Sequence, residues 1–171
     1  MYSQINFNKK YIIDTSALVN LHYYPRDLKM FAPIWMTLES MVKNGDLIAP
    51  LEVYEEIKSK EDEILEWCNK NKDMFIDIDD IQTNNLKKVE VKYDKEVWRK
   101  NISKVGGWAD PWLIALCLSR PDLTDKNMSY PIIITDENNQ GKNKISTIAN
   151  MFGIKCINII EFFRDKIDNN P

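Results

Sequence analysis

Acidic residues fall at four places in the sequence where carboxylates could do chemistry. Asp14 ends the apolar run "YIID", and Asp136 and Glu137 follow "PIIIT". Glu55 and Glu56 lie in "APLEVYEEIKSK", and Asp110 heads "ADPWLIALCLSR". A carboxylate buried without a partner is very costly, so an acid at the edge of an apolar run needs compensation, and a metal ion would supply it. Hard oxygen ligands select Mg²⁺ or Mn²⁺ over zinc. Such ions lower the pKa of a bound water and stabilise the oxyanion of a displaced phosphate ester. Phosphodiester hydrolysis asks little more of side chains than metal ligands and a positioning hydroxyl, and Thr15 or Ser16 could be that hydroxyl. His22 is the only histidine, which excludes HExxH and any two-histidine zinc site. No GxSxG, P-loop or GxGxxG is present, and Gly106-Gly107 stands as an isolated pair.

The local pattern narrows the choice at two places. Val53 and Ile57 mark the buried side of a helix opened by Pro50, and Glu56 adjoins that stripe. Glu55 points about 100° away, so Glu56 is favoured over it. Asp110 shares a helical face with Leu113, Ile114 and Cys117 and is the one polar member of that stripe. Each acid also has a plainer reading. Asp14 and Asp110 suit helix N-caps, Glu55-Glu56 suits a solvated face, and Asp136 suits a turn in "TDENNQG". Four such acids at strand ends and helix starts favour a carboxylate metal site taken together.

The elements that must position them alternate. Short β-branched runs at 11–14, 47–49, 74–78, 131–135 and 154–158 read as strands, mostly apolar on both faces as in a covered parallel sheet. Helical stretches lie at about 27–44, 51–60, 62–72, 81–104, 108–120, 143–152 and 159–168. Pro33 is expected to bend or split the first of these. The alternation implies an α/β fold with a central parallel sheet of about five strands flanked by helices. In such a sheet functional groups gather at the carboxyl edge, and the strands ending at Asp14 and at Asp136 could be neighbours. The charge-rich segment 79–104 is expected to be exposed helix with a flexible start, 121–130 a polar loop, and the tail "DNNP" frayed.

With 171 residues, the chain suits a single domain over 1–171, long enough to bury roughly 70% of its unfolded surface. Hydrophobic residues make up 44% and charged residues 29%, a soluble globular balance. A net charge of −3 and a pI of about 5.3 exclude a generally basic nucleic-acid coat but leave room for a local basic groove. Three scattered cysteines, no export-signal pattern after Met1 and no run near eighteen apolar residues point to a reduced, cytoplasmic protein off the membrane.

The set "YIIDTSAL", "PLEVYEEI", "ADPWLIALC" and "IIITDEN", in this order, resembles the PIN-domain nucleases, including VapC-type toxins of prokaryotic toxin–antitoxin pairs. The likeness spans nearly the whole chain and is closest to a little-characterised PIN-like branch. It implies a PIN-like sheet with the acids meeting in one cleft. By motif position, Asp14, Glu56 and Asp110 would be catalytic metal ligands, with Ser16 supporting them. The family often carries Thr-x-Asp at the last motif, which would place Glu137 there; this chain has Asp136 directly after Thr135, and Asp136 is ranked above Glu137 as the fourth ligand. The implied activity is a Mg²⁺- or Mn²⁺-dependent endoribonuclease acting on single-stranded or loop RNA, with a cognate antitoxin as a possible partner and a homodimer as the assembly.

Lys142 and Lys144 follow the last acidic motif and are favoured for phosphate binding over Lys58, Lys60, Lys87, Lys88, Lys92, Arg99, Lys100 and Lys104. Trp108 and Trp112 could stack on a base, although spacing by four favours core or dimer contacts. The alternative is a catalytically inactive PIN-like module that binds RNA or protein. A receiver-like phosphoacceptor is disfavoured, since only Asp14 ends the first strand and "NIIEF" carries no lysine. A haloacid-dehalogenase phosphatase is disfavoured because Ser16 stands where a second aspartate is needed.

Overall fold

The computed structural model describes residues 9–60, 62–122, 128–138 and 140–168. Five strands form one all-parallel sheet in the order β3-β2-β1-β4-β5. They are β1 (Tyr11–Ile13), β2 (Leu47–Pro50), β3 (Phe75–Ile76), β4 (Ile132–Ile134) and β5 (Cys156–Ile157). Every residue of β1 and β2 is buried, which is why both read as unbroken apolar runs without alternation. The expected strands at 11–14, 47–49 and 131–135 hold to within a residue or so. Those at 74–78 and 154–158 shrink to two residues each, since they are sheet edges with one neighbour to pair with.

The order places β1 at the centre, with β2 on one side and β4 on the other. The chain therefore reverses direction across the sheet at β1, and a crevice opens between the carboxyl ends of β1 and β4. Their register, Tyr11 opposite Ile132 through Ile13 opposite Ile134, brings the two ends level. The Asp14 N–H extends the ladder to the Ile134 carbonyl at 2.9 Å.

The helices are α1 (Thr15–Asn20), α2 (Ala32–Asn44), α3 (Leu51–Ile57), α4 (Glu63–Lys70), α5 (Asp80–Glu90), α6 (Lys95–Ile102), α7 (Asp110–Leu118), α8 (Ile145–Asn150) and α9 (Ile159–Phe163). The short α1 directly after β1 is absent from the sequence-based list. Pro33, expected to bend or split a helix, instead stands in the first turn of α2, preceded by a 3-10 turn over Lys29–Phe31. In the first turn its missing N–H costs nothing. Helix α7 is apolar nearly all round and packs on β1, β2 and β4 as well as on α5 and α8, so it is a core helix.

The charged segment 79–104 departs furthest from expectation. It is two helices, and its start is held rather than loose: Asp79 caps α5 by accepting from the Gln82 N–H at 2.7 Å. Gln82 and Asn85 are buried polar residues. The Gln82 amide donates to the Asp77 carbonyl at 2.9 Å, and the Asn85 amide donates to the Ser119 hydroxyl of the chain leaving α7 at 3.1 Å. Val89, Tyr93 and Trp98 bury the inner face. Of the expected loop 121–130, residues 123–127 lie outside the described residues; Asp122 and Ser129 on either side form an antiparallel bridge. Of the tail "DNNP", residues 169–171 also lie outside them. No helix among the described residues is long and apolar enough to cross a membrane.

Ile12 is fully buried at the centre of the sheet. Ile12→Ala should cost about 2–5 kcal/mol through lost burial and the cavity left behind. Urea unfolding would show this as a lower midpoint at unchanged slope.

Candidate active-site cleft

Asp14 follows β1 and is 3% exposed. Its backbone takes the N-cap position of α1, and Oδ1 accepts from the Thr15 N–H at 2.7 Å. The plain capping role is thus real, but it uses one oxygen. Oδ2 accepts from two hydroxyls, Ser16 Oγ at 2.6 Å and Thr135 Oγ1 at 2.8 Å. Those hydroxyls in turn receive backbone N–H groups from the chain leaving β4, Asp136 to Ser16 at 3.0 Å and Glu137 to Thr135 at 3.3 Å. Asp14 is therefore the knot that ties the end of β1 to the end of β4.

Glu56 reaches the same place from α3. Its Oε2 accepts from the Thr15 hydroxyl, and its Oε1 accepts from the Ala109 N–H at 2.8 Å, just ahead of α7. Glu55 is exposed and faces solvent, paired with Lys58 at 3.0 Å. This places Glu56, and not Glu55, at the cleft. Between α6 and α7 stands the glycine pair that the sequence leaves unexplained. Gly106 and Gly107 have φ of 90° and 88°, and a Cβ on Gly107 would touch Glu56 Cγ at 3.4 Å.

Asp110 is the first residue of α7, behind an Ala109 cap that uses no side chain. Its carboxylate is not spent on capping and accepts no hydrogen bond from the described residues. Asp136 is spent. Its Oδ2 accepts from the Asn20 amide at 2.7 Å and its Oδ1 from the Ile159 N–H at 2.8 Å, the first N–H of α9. Both oxygens of Asp136, ranked above Glu137 from the sequence, are thus occupied within the protein. Glu137 carries a buried Oε2 with no hydrogen bond, 3.5 Å from the Lys144 ammonium, and its charge acts on both Asp14 and Asp110.

The acids line a cleft of about 960 Å³ whose walls include Thr15, Ser16, Asn20, Lys60, Lys104, Trp108, Lys142 and Lys144. Lys142 is held by Asp94 at 2.9 Å. Trp108 belongs to a ring cluster with Tyr93 and Trp98, which fits the core reading better than a free stacking platform. Asn20, Thr135, Asn143 and the α6 residues Val97 and Asn101 were not singled out from sequence; Thr135 alone had a signal, a hydroxyl directly before the last acids.

Burial raises the Asp14 carboxyl to about 6 against the bonds from Ser16 and Thr135, with Glu137 and Glu56 adding to the rise. Burial raises Asp110 to about 8, and Asp14, Glu137 and Glu56 push it further up while Lys144 opposes them. Burial and mutual repulsion thus both work against ionising these acids together. The donors are hard oxygens, a buried acceptor on Glu137 makes no hydrogen bond among the described residues, with the Lys144 ammonium 3.5 Å away, and in these respects the residues fit a divalent ion. Their spacing is wider: among the described residues no three histidine, cysteine, aspartate or glutamate side chains stand close enough to hold an ion as placed.

An all-parallel sheet with a carboxylate-floored cleft at its switch point defines an α/β protein with an acidic site at the strand ends. Residues 11–168 match the family described as a domain of unknown function, DUF4411, and the chain belongs to that family. No curated protein matches the sequence.

The raised acids set a pH dependence. Both bind their protons more tightly folded than unfolded, from an ordinary value of 3.8 to about 6 and about 8. The native state then holds more protons across that window, so stability falls as pH rises through it. Without divalent ions, the melting temperature should fall between about pH 4 and pH 8. Asp110→Asn should remove most of the decline above about pH 6, leaving the Asp14 part below it.

Proposed function

We propose that the chain is a Mg²⁺- or Mn²⁺-dependent endoribonuclease that hydrolyses phosphodiester bonds in unpaired RNA. The observation that carries this reading is the meeting of Asp14, Glu56, Asp110 and Glu137, from the ends of β1 and β4 and from α3 and α7, in one lysine-rimmed cleft. Asp14, Asp110 and Glu137 would hold the ion, with Glu56 beside them. Bound there, a divalent ion lowers the pKa of water and stabilises the charge on a displaced phosphate ester.

The chain's own groups divide the remaining work. Thr15, Ser16 and Thr135 hold Asp14 and Glu56 in fixed orientations, so few rotamers need to be frozen on binding. Asp110 has no hydrogen bond to hold it back from closing on a cation. Lys60, Lys104, Lys142 and Lys144 supply phosphate contacts around an acidic floor, and a net charge of −3 confines that attraction to the cleft. An unpaired strand suits such a site because its backbone can bend into a recess that a duplex cannot enter. The role as toxin of a toxin–antitoxin pair, a homodimeric state and a cytoplasmic location belong to the same proposal and rest on the resemblance and composition.

A second reading is a non-catalytic RNA- or protein-binding module, and the wide spacing of the acids favours it. RNA cleavage by purified protein in Mn²⁺ or Mg²⁺, beside EDTA, separates the two. Asp14→Asn and Asp110→Asn should lose on the order of 10²-fold or more in rate, the scale on which a lost catalytic group registers. Glu137→Gln should lose more rate than Asp136→Asn, which should instead lower the melting temperature by freeing Asn20 and the start of α9. Glu55→Gln should change neither. No cleavage above the Asp14→Asn background across structured and unstructured RNAs, with RNA binding retained in EDTA, would establish the binding module instead.

A further inference from the structure

Tyr93 lies in the turn between α5 and α6 and is 5% exposed. Its hydroxyl is buried with no hydrogen-bond partner among the described residues. A hydroxyl in that state has lost its water without recovering a bond, so phenylalanine would be the more stable occupant.

The ring is not free to swing out and recover one. Trp108 meets it edge-on at 5.0 Å between centroids, Trp98 lies at 5.9 Å, and the two tryptophans are 5.4 Å apart. The next residue is pinned as well. The Asp94 N–H donates to Asn143 Oδ1 at 2.9 Å, and the Asn143 amide donates back to Asp94 Oδ2 at 2.8 Å. Turn and ring cluster therefore hold the hydroxyl at a fixed point.

The ring cluster adjoins the acidic floor. Trp108, which touches the Tyr93 ring, lines the cleft two residues before Asp110. Burial holds the Tyr93 hydroxyl well above the usual phenol pKa, and Asp110 foremost, then Glu137 and Asp14, push the same way. On the acid side, Asp110 accepts no hydrogen bond from the described residues, whereas Glu137 Oε2 has the Lys144 ammonium at 3.5 Å. A fixed donor that lacks an acceptor thus stands near a carboxylate that lacks a donor.

We propose that Tyr93 is a positioning residue for the acidic site, its hydroxyl donating to the Asp110 carboxylate, directly or through one water, when a divalent cation draws that carboxylate into place. This rests on the metal-site reading above. The bond occupies one oxygen of Asp110 and turns the other toward the ion, the service that hydrogen bonds behind ligating carboxylates perform.

The test is Mn²⁺ binding to the full chain by titration calorimetry, wild type beside Tyr93→Phe, with melting temperatures measured without metal. Tyr93→Phe should melt at or above the wild-type temperature and bind Mn²⁺ about tenfold more weakly, within the range for groups behind a metal ligand. Unchanged Mn²⁺ affinity in Tyr93→Phe, whatever its melting temperature, marks a tyrosine with no part in the site, and that overturns the proposal. If wild type itself binds no Mn²⁺, the metal-site reading fails first and takes this inference with it, a distinct result. Should Tyr93→Phe not fold, 3-fluorotyrosine placed at position 93 of the otherwise unaltered chain provides the second readout. Its ¹⁹F resonance should shift on Mg²⁺ titration at the midpoint of ion binding, and an unmoved resonance sinks the idea.

Discussion

Everything at the carboxyl edge of this sheet is arranged around one buried charge, the Asp14 carboxylate. It stands where parallel strands diverge from the central strand in both directions, a place the fold leaves open between β1 and β4. Three donors hold it: the Thr15 N–H, the Ser16 hydroxyl and the Thr135 hydroxyl. Because Ser16 and Thr135 also receive the Asp136 and Glu137 N–H groups, the same knot sets the path of the chain beyond β4. The cost of burying the charge is spread over two strand ends and not met by a single partner.

Glu56 plays the corresponding part on the other flank. One of its oxygens is held from the start of α1 and the other from the start of α7, so a single side chain fixes the distance between two helices that share no covalent neighbourhood. The glycine pair before α7 adopts left-handed backbone, which favours glycine at both positions. Asp110 is left over as the carboxylate that accepts no hydrogen bond from the described residues.

Much of the fold was legible from the sequence. The apolar runs "YII", "LIA" and "III" gave three buried strands because parallel strands covered on both faces lose their alternation. The charged segment 79–104 was misjudged because its buried polar anchors, Gln82 and Asn85, look like surface residues until their partners at Asp77 and Ser119 are known. Its break at Tyr93 was hidden for a similar reason: Tyr93, Trp98 and Trp108 form one cluster only after two helices and a loop have folded together.

The sequence by itself determined the class of the fold and which positions could carry acids to the strand ends, since periodicity and chain order are local properties. It also favoured Glu56 over Glu55, a choice that follows from the rotation per residue in a helix. Only the tertiary structure distinguished Asp136 from Glu137. These neighbours are equivalent in sequence, and what separates them is that Asn20 and the first N–H of α9, from distant parts of the chain, consume both oxygens of Asp136. Which carboxylates remain unspent depends on long-range hydrogen bonds, and those exist only in the folded chain.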